Sequence, residues 1–170
     1  NFELIKSVET REFVEQQIPI AASIKEAIDI FYIVNASGVN LTDAELALAQ
    51  ISGYWPQARE LFKEKLNELA DRGFVFNLDF IVYVLLGVLY FMGSDLKKLH
   101  SSSNHDIIKS TWEKLSGKIL DYVMNIMQQY AYIDHTKEIN SVYALIPIIV
   151  YTFHRPNEVL NQSEINKAVK

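Results

Sequence analysis

The residues of this sequence best suited to bind an anion lie in and beside one polar corner, Asn35-Ala36-Ser37-Gly38. Backbone N–H groups in a loop of small residues can surround a phosphate, and the helix that starts at Thr42 adds the amides of its N-terminus. Asn35 and Gly38 can equally supply the positive φ angles of a plain turn, with Ser37 bonding locally. The plain turn is the simpler interpretation of these residue types, and phosphate binding stays open beside it.

Two predicted helix starts flank this corner. Ser23 and Glu26 have the spacing of a capping box, in which each side chain accepts a hydrogen bond from the other residue's backbone N–H. Thr42 and Glu45 repeat that spacing. The corner therefore separates one capped helix from the start of the next.

The segment before the first helix predicts a strand. Residues 13–20 alternate loosely and contain β-branched side chains, and Pro19 places this segment near a sheet edge or at a strand end. A single strand leaves its backbone groups unpaired, so its sheet is expected in a missing part of the protein or in another chain. Because residue 1 is Asn and residues 163–170 read as a helix that stops abruptly, we interpret the chain as a fragment.

Apolar residues recur at helical spacing along the rest of the chain. The predicted class is mainly α: a short strand and helix left from an α+β domain, then a bundle of about six helices. The expected division is into residues 1–53, the remnant of that domain, and residues 54–170, the helical domain. The main predicted helices are 24–34, 42–55, 56–73, 78–92, 104–132 and, starting at Asp134 or Thr136 and kinked at Pro147, one that runs to Phe153.

Composition and one apolar run bear on location. Residues 74–93 are strongly apolar, but Asn77 and Asp79 shorten the uninterrupted stretch, which favours a buried central helix over a membrane-spanning one. The net charge of −5 gives no overall attraction to nucleic acid, so any DNA contact would be local or supplied by a missing part. The absence of cysteine suits a cytoplasmic location.

Other polar and aromatic residues have simpler structural interpretations. The histidines at 100, 105, 135 and 154 lack the spacing of metal ligands. Tyr54-Trp55-Pro56 with Arg59 could stack on a base, but a helix-junction anchor is favoured. Lys63, Lys65 and Arg72 alternate with glutamates, which predicts a solvated helix face with local ion pairs.

The segment "DIFYIVNASGVNLTDAELALAQI" resembles the closing motif of the ParB-like nuclease domain in GmrSD-type restriction proteins. The resemblance is carried by F-x-x-x-N at residues 31–35, the small-Gly turn at 36–38, and L-T-x-x-E-L at 41–46. With the upstream "QQIPI", its specific part covers about 35 of the 170 residues. Tyr32 and Ile33 depart from the family, many members of which have a charged residue, often Glu-Arg, after the phenylalanine.

The resemblance implies that Asn35, Ser37, Gly38 and Thr42 line a nucleotide- or phosphate-binding pocket that faces a catalytic motif. That D-G-Q-Q-R-type motif does not occur here, nor does an appended HNH domain, so no catalytic residue and no metal ligand is expected. The full-length protein would be a nucleotide-dependent endonuclease that binds DNA and uses a nucleoside triphosphate and a divalent metal.

Three functions compete at this level. The first is a fragment of a restriction or phage-defence protein, inert by itself, that supplies the rear wall of the site and a helical interaction region. The second is a non-enzymatic helical module for homo-oligomerisation or partner binding, which exposed aromatic residues on the helix at 104–132 would support. A metal-dependent hydrolase ranks last because the sequence has no ligand cluster.

Overall fold

The structure, a computed structural model, describes residues 17, 19–23, 26–27, 30, 42–91 and 105–169. Within these residues the chain forms helices joined by turns, and no strand occurs among them. Counting α4 and α5 as one continuous helix, six helices follow the corner, which confirms the predicted mainly α bundle. The helices are α1 (Asp43–Tyr54), α2 (Ala58–Asp71), α3 (Leu78–Tyr90), α4 (His105–Lys114), α5 (Leu120–Tyr130), α6 (Leu145–Phe153) and α7 (Gln162–Ala168), with a π-helical turn (Leu115–Ile119) joining α4 to α5.

Helix α3 lies at the centre of the bundle and contacts α1, α2, α4 and α6. Every residue from Phe80 to Val88 except Tyr83 is buried, which confirms the prediction of a buried central helix. Gly87 allows α6 to approach closely, because a Cβ at this position would lie 2.8 Å from Val150 Cγ2. In the described ranges 42–91 and 105–169, no helix combines the length and apolar character needed to cross a bilayer.

The first two helices pack on this centre through apolar stripes. Phe62 on α2 contacts Trp112 on α4, with the ring centroids 4.4 Å apart. Residue 53, the predicted domain boundary, lies within the last turn of α1, and α1 and α2 both contact α3. The division itself stays a prediction. The fully or nearly buried members of these stripes are Ala44, Ala47, Leu48, Ile51, Ala58, Phe62, Leu66 and Leu69.

The end of α2 and the start of α3 are determined locally. Gly73 adopts φ +93°, its N–H bonds the Ala70 carbonyl, and the Phe74 N–H bonds the Leu69 carbonyl. This hydrogen-bond pair is the Schellman arrangement, in which a glycine at positive φ ends a helix. The Asn77 side chain then accepts the N–H of Phe80 at 3.0 Å and caps α3.

The predicted helix from Asp134 or Thr136 to Phe153 is wrong over its first half. Residues 136–138 and 142–144 form separate 3₁₀ turns, and α6 begins only at Leu145. Helical spacing misleads here because Ile139 and Val142 reach the core from turns. Pro147 is the third residue of α6, where a backbone N–H has no partner within the helix, so no kink is required.

The predicted strand at 13–20 is described only at residues 17, 19 and 20; its other positions lie outside the described residues. None of the three is in a strand. Ile20 instead occupies a turn closed by the Ala22 N–H and the Pro19 carbonyl, 2.9 Å apart. Proline fixes φ near the value that a turn requires, which accounts for this local preference.

Candidate functional site

Both predicted capping boxes that flank the corner are confirmed. The Ser23 N–H donates to Glu26 Oε2 at 2.8 Å, and the Glu26 N–H donates to Ser23 Oγ at 3.2 Å. The equivalent distances for Thr42 and Glu45 are 2.8 and 3.1 Å. Hydrogen bonds from the Ser23 backbone and then its hydroxyl lower the pKa of Glu26, as expected for a carboxylate at a helix start.

Thr42 is the one predicted site residue that the structure describes, since Asn35, Ser37 and Gly38 lie outside the described residues. Its N–H and hydroxyl are both engaged by Glu45, whose carboxylate occupies the position at the α1 N-terminus that favours an anion. A phosphate bound to the Thr42 amide would have to displace this carboxylate. The assignment of Thr42 to phosphate binding stays a prediction.

A second carboxylate lies near this helix start. Asp79, in the first turn of α3, has a raised pKa because of burial and, secondarily, the negative charge of Glu45. The negative charge of Glu45 on α1 therefore acts on Asp79 through space. An anion that entered beside Thr42 would meet negative charge unless cations from another part of the protein offset it.

The aromatic segment at the α1–α2 junction is an anchor, as favoured from the sequence. Trp55 is half-buried, caps the end of α1 through its N–H to the Ile51 carbonyl, and packs edge-on against Phe62 with a centroid distance of 5.8 Å. Arg59 is exposed on α2. Pro56 lies in the turn before α2 rather than at the first helical position, because Gln57 is the N-cap.

The histidines that the structure describes with their side chains have structural contacts. His135 Nδ1 accepts the Lys137 N–H at 3.0 Å, and His154 Nε2 lies 2.9 Å from the Val88 carbonyl oxygen. The His154 ring also stacks on Phe91, with the centroids 4.5 Å apart. Among the described side chains, no group of three His, Asp or Glu residues is placed to hold a metal ion.

A charged cluster between α2 and α5 was not anticipated from the sequence. The prediction of a solvated face holds for Lys63, which pairs with exposed Glu60, but is wrong for Lys65, whose side chain is only 9% exposed. The Lys65 ammonium donates to Asp121 Oδ2 at 2.7 Å and to Glu68 Oε2 at 3.0 Å. One signal was present: Lys65 lies within the apolar stripe of α2, beside Leu66 and between Phe62 and Leu69.

Arg72, the C-cap of α2, completes this cluster. Its guanidinium donates to Asp121 Oδ1 at 3.0 Å, to Asn125 Oδ1 at 2.6 Å and to Gln128 Oε1 at 3.2 Å. Desolvation lowers the pKa of Lys65, but the hydrogen bonds and charges of Asp121 and Glu68 outweigh it and leave the pKa raised. Each charge is therefore matched, and the cluster joins two helices rather than presenting a reactive group.

Comparisons of the chain with protein-family models, with curated proteins and with solved structures found no match. The motif at residues 31–46 resembles the ParB-like restriction family, and this likeness is a resemblance only.

Proposed function

We propose that this chain is part of a GmrSD-like DNA restriction or phage-defence protein and is catalytically inert by itself. In this proposal Asn35, Ser37, Gly38 and Thr42 form the rear wall of a nucleotide or DNA-phosphate site, and the bundle that follows is a helical interaction region. The observation that carries the proposal is the motif at residues 31–46, together with the capping boxes at Ser23 and Thr42 that start the helices before and after the corner. The catalytic motif and the remaining contacts to a nucleoside triphosphate and a divalent metal would be supplied by other parts of the full-length protein.

The test uses the full-length protein and nucleotide-stimulated cleavage of modified and unmodified DNA. Asn35→Ala should reduce cleavage severely without changing the urea midpoint of unfolding. The matched control is Asn140→Ala, because Asn140 is exposed in a turn far along the chain and should leave cleavage unchanged. Full activity of Asn35→Ala would reduce Asn35 to a turn residue and contradict the proposal.

Thr42 allows helix capping to be separated from anion binding. Aspartate caps helices as well as threonine does and favours the positive end of the helix dipole, so Thr42→Asp should preserve stability. Its added negative charge should nevertheless repel a phosphate at this position. Stable Thr42→Asp protein with unimpaired nucleotide-stimulated cleavage would remove Thr42 from the proposed site.

A specific observation favours the second candidate, a helical oligomerisation or partner-binding module. Tyr132, just after α5, is 85% exposed and adopts φ +55°, and Tyr130 is also exposed. A large aromatic residue at positive φ is uncommon, so this conformation has a cost that an interface would offset.

Sedimentation velocity across a concentration series tests this candidate. Asparagine tolerates positive φ, so Tyr132→Asn should weaken any self-association without unfolding the chain. Val159→Asn changes an exposed apolar residue elsewhere on the surface and serves as the control. A monomer at all concentrations for all three proteins would leave self-association without support.

A further inference from the structure

A cleft of about 490 Å³ lies between α6 and α7 and belongs to neither the corner nor the α2–α5 cluster. Its apolar lining is formed by Pro147, Ile148, Leu160 and Ala168, together with the half-exposed ring of Tyr151. The volume falls within the range of roughly 300–1,000 Å³ that small-molecule sites occupy. The apolar lining fits a ligand with a hydrocarbon body.

The carboxylate of this cleft is already saturated with donors. Glu164 Oε1 accepts the Tyr151 hydroxyl at 2.7 Å and lies 2.8 Å from Arg155 Nη2, while Oε2 accepts the Asn161 N–H at 2.8 Å. The pKa of Glu164 is lowered, chiefly by the Asn161 hydrogen bond and then by the Tyr151 hydroxyl. Glu164 is consequently a fixed part of the wall and is not available to a cationic ligand.

Lys167 also lines the cleft and supplies a second positive charge beside that of Arg155. Its charge acts on Glu164 through space, but among the residues that the structure describes Lys167 has no ion pair. Since Arg155 already neutralises Glu164, the cleft keeps one uncompensated positive charge in a chain whose net charge is −5. This charge distribution selects for a single negative charge on the occupant.

We propose that the α6–α7 cleft binds an amphipathic monocarboxylate, with its hydrocarbon body on the apolar lining and its carboxylate on the Lys167 ammonium. The proposal is independent of the restriction-protein assignment. A small ligand in an open cleft binds weakly, so dissociation constants on the order of millimolar are expected. The Tyr151 ring, held by its hydroxyl bond to Glu164, supplies a preorganised side wall.

The test is a heteronuclear NMR titration of the whole chain with octanoate, octanamide and octylamine, which share a hydrocarbon body and differ in charge. Octanoate should bind most tightly, with amide shifts centred on Ile148, Tyr151 and Ala168. Lys167→Met keeps the aliphatic stem but removes the charge. It should weaken the binding of octanoate by roughly two- to fivefold, as expected for the loss of an exposed ion pair. Lys109→Met, which removes an exposed lysine of α4 outside the cleft, should have no effect.

A variant that fills the cleft distinguishes binding there from general adsorption. Ala168→Phe should abolish the octanoate shifts while the far-ultraviolet circular dichroism stays that of the unmodified chain. If Ala168→Phe fails to fold, the difference in affinity between octanoate and octanamide tests the proposal without this variant. Equal affinity for octanoate and octanamide, shifts centred elsewhere, or equal effects of Lys167→Met and Lys109→Met would overturn the proposal.

Discussion

The Lys65 ammonium on α2 donates a 2.7 Å hydrogen bond to the carboxylate of Asp121 on α5, joining residues 56 positions apart in the sequence. The lysine is almost fully buried, whereas the aspartate side chain is 37% exposed. The same carboxylate accepts a hydrogen bond from the Arg72 guanidinium, so Asp121 binds one cation within α2 and one at its C-cap. A buried ammonium is tolerated only with such partners, which makes Asp121 the critical member.

Asp121→Ala should destabilise the chain by about 2 kcal/mol because it leaves the Lys65 ammonium without its nearest partner. That value is below the ~3–5 kcal/mol of a fully buried pair because the Asp121 side chain is more than a third exposed. Urea unfolding followed by circular dichroism measures the change. Glu60→Ala, which breaks the exposed Glu60–Lys63 pair, is the control and should cost less than about 0.5 kcal/mol. Equal losses for the two variants would contradict the structural role of Asp121.

Two glycines within helices should respond in opposite directions to the same substitution. A Cβ at Gly87 would lie 2.8 Å from Val150 Cγ2, so Gly87→Ala should cost about 1–3 kcal/mol by forcing α3 and α6 apart. A Cβ at Gly117 would meet nothing within 4 Å, and Gly117→Ala should stabilise by about 0.5–1 kcal/mol through backbone entropy. Thermal unfolding of both variants measures this difference. Destabilisation by Gly117→Ala would show that the π-helical turn itself requires glycine.

Gly73 is constrained by conformation and by space. Its φ of +93° disfavours any side chain, and an added Cβ would clash with the Asp134 backbone carbonyl. Gly73→Ala should therefore cost at least about 2 kcal/mol. Asparagine tolerates positive φ better but carries the same Cβ, so Gly73→Asn separates the two causes. If chemical denaturation shows that Gly73→Ala and Gly73→Asn lose comparable free energy of unfolding, the cost comes from the clash with the Asp134 carbonyl. A Gly73→Asn variant as stable as the unmodified chain would contradict the clash.

Glu158 should contribute to acid sensitivity. Hydrogen bonds from Lys114 and then Lys118, at 2.6 and 3.1 Å, lower the pKa of Glu158 below its ordinary value of 4.5. The unfolded chain therefore binds this proton more readily, so the stabilisation is present above pH 4.5 and is lost as pH falls through the folded pKa. Glu158→Gln should lower the melting temperature near neutral pH and approach the unmodified chain under acid conditions. A melting-temperature difference that does not change with pH would contradict this linkage.

The local features of the fold were predictable because their determinants are close in sequence. A capping box needs only four consecutive residues, as at Ser23 and Thr42, and a glycine that ends a helix needs only the preceding turn, as at Gly73. The buried character of α3 follows from the apolar run that begins after Asp79. The candidate corner is different: the sequence indicates Asn35, Ser37 and Gly38 only through residue type and resemblance, and Thr42 is engaged as a helix cap.

Sequence alone thus determined where most helices begin and which one is central, whereas the assignment of an anion site to the corner stays a prediction. The tertiary structure decided that Lys65 is buried rather than solvated, since its partner Asp121 is supplied by a distant helix. It also decided that residues 136–144 form turns: the Thr136 N–H bonds the Gly73 carbonyl, and its hydroxyl accepts the Val75 N–H. These outcomes depend on contacts between segments brought together only by packing, and local residue spacing does not identify the distant partner in such a contact.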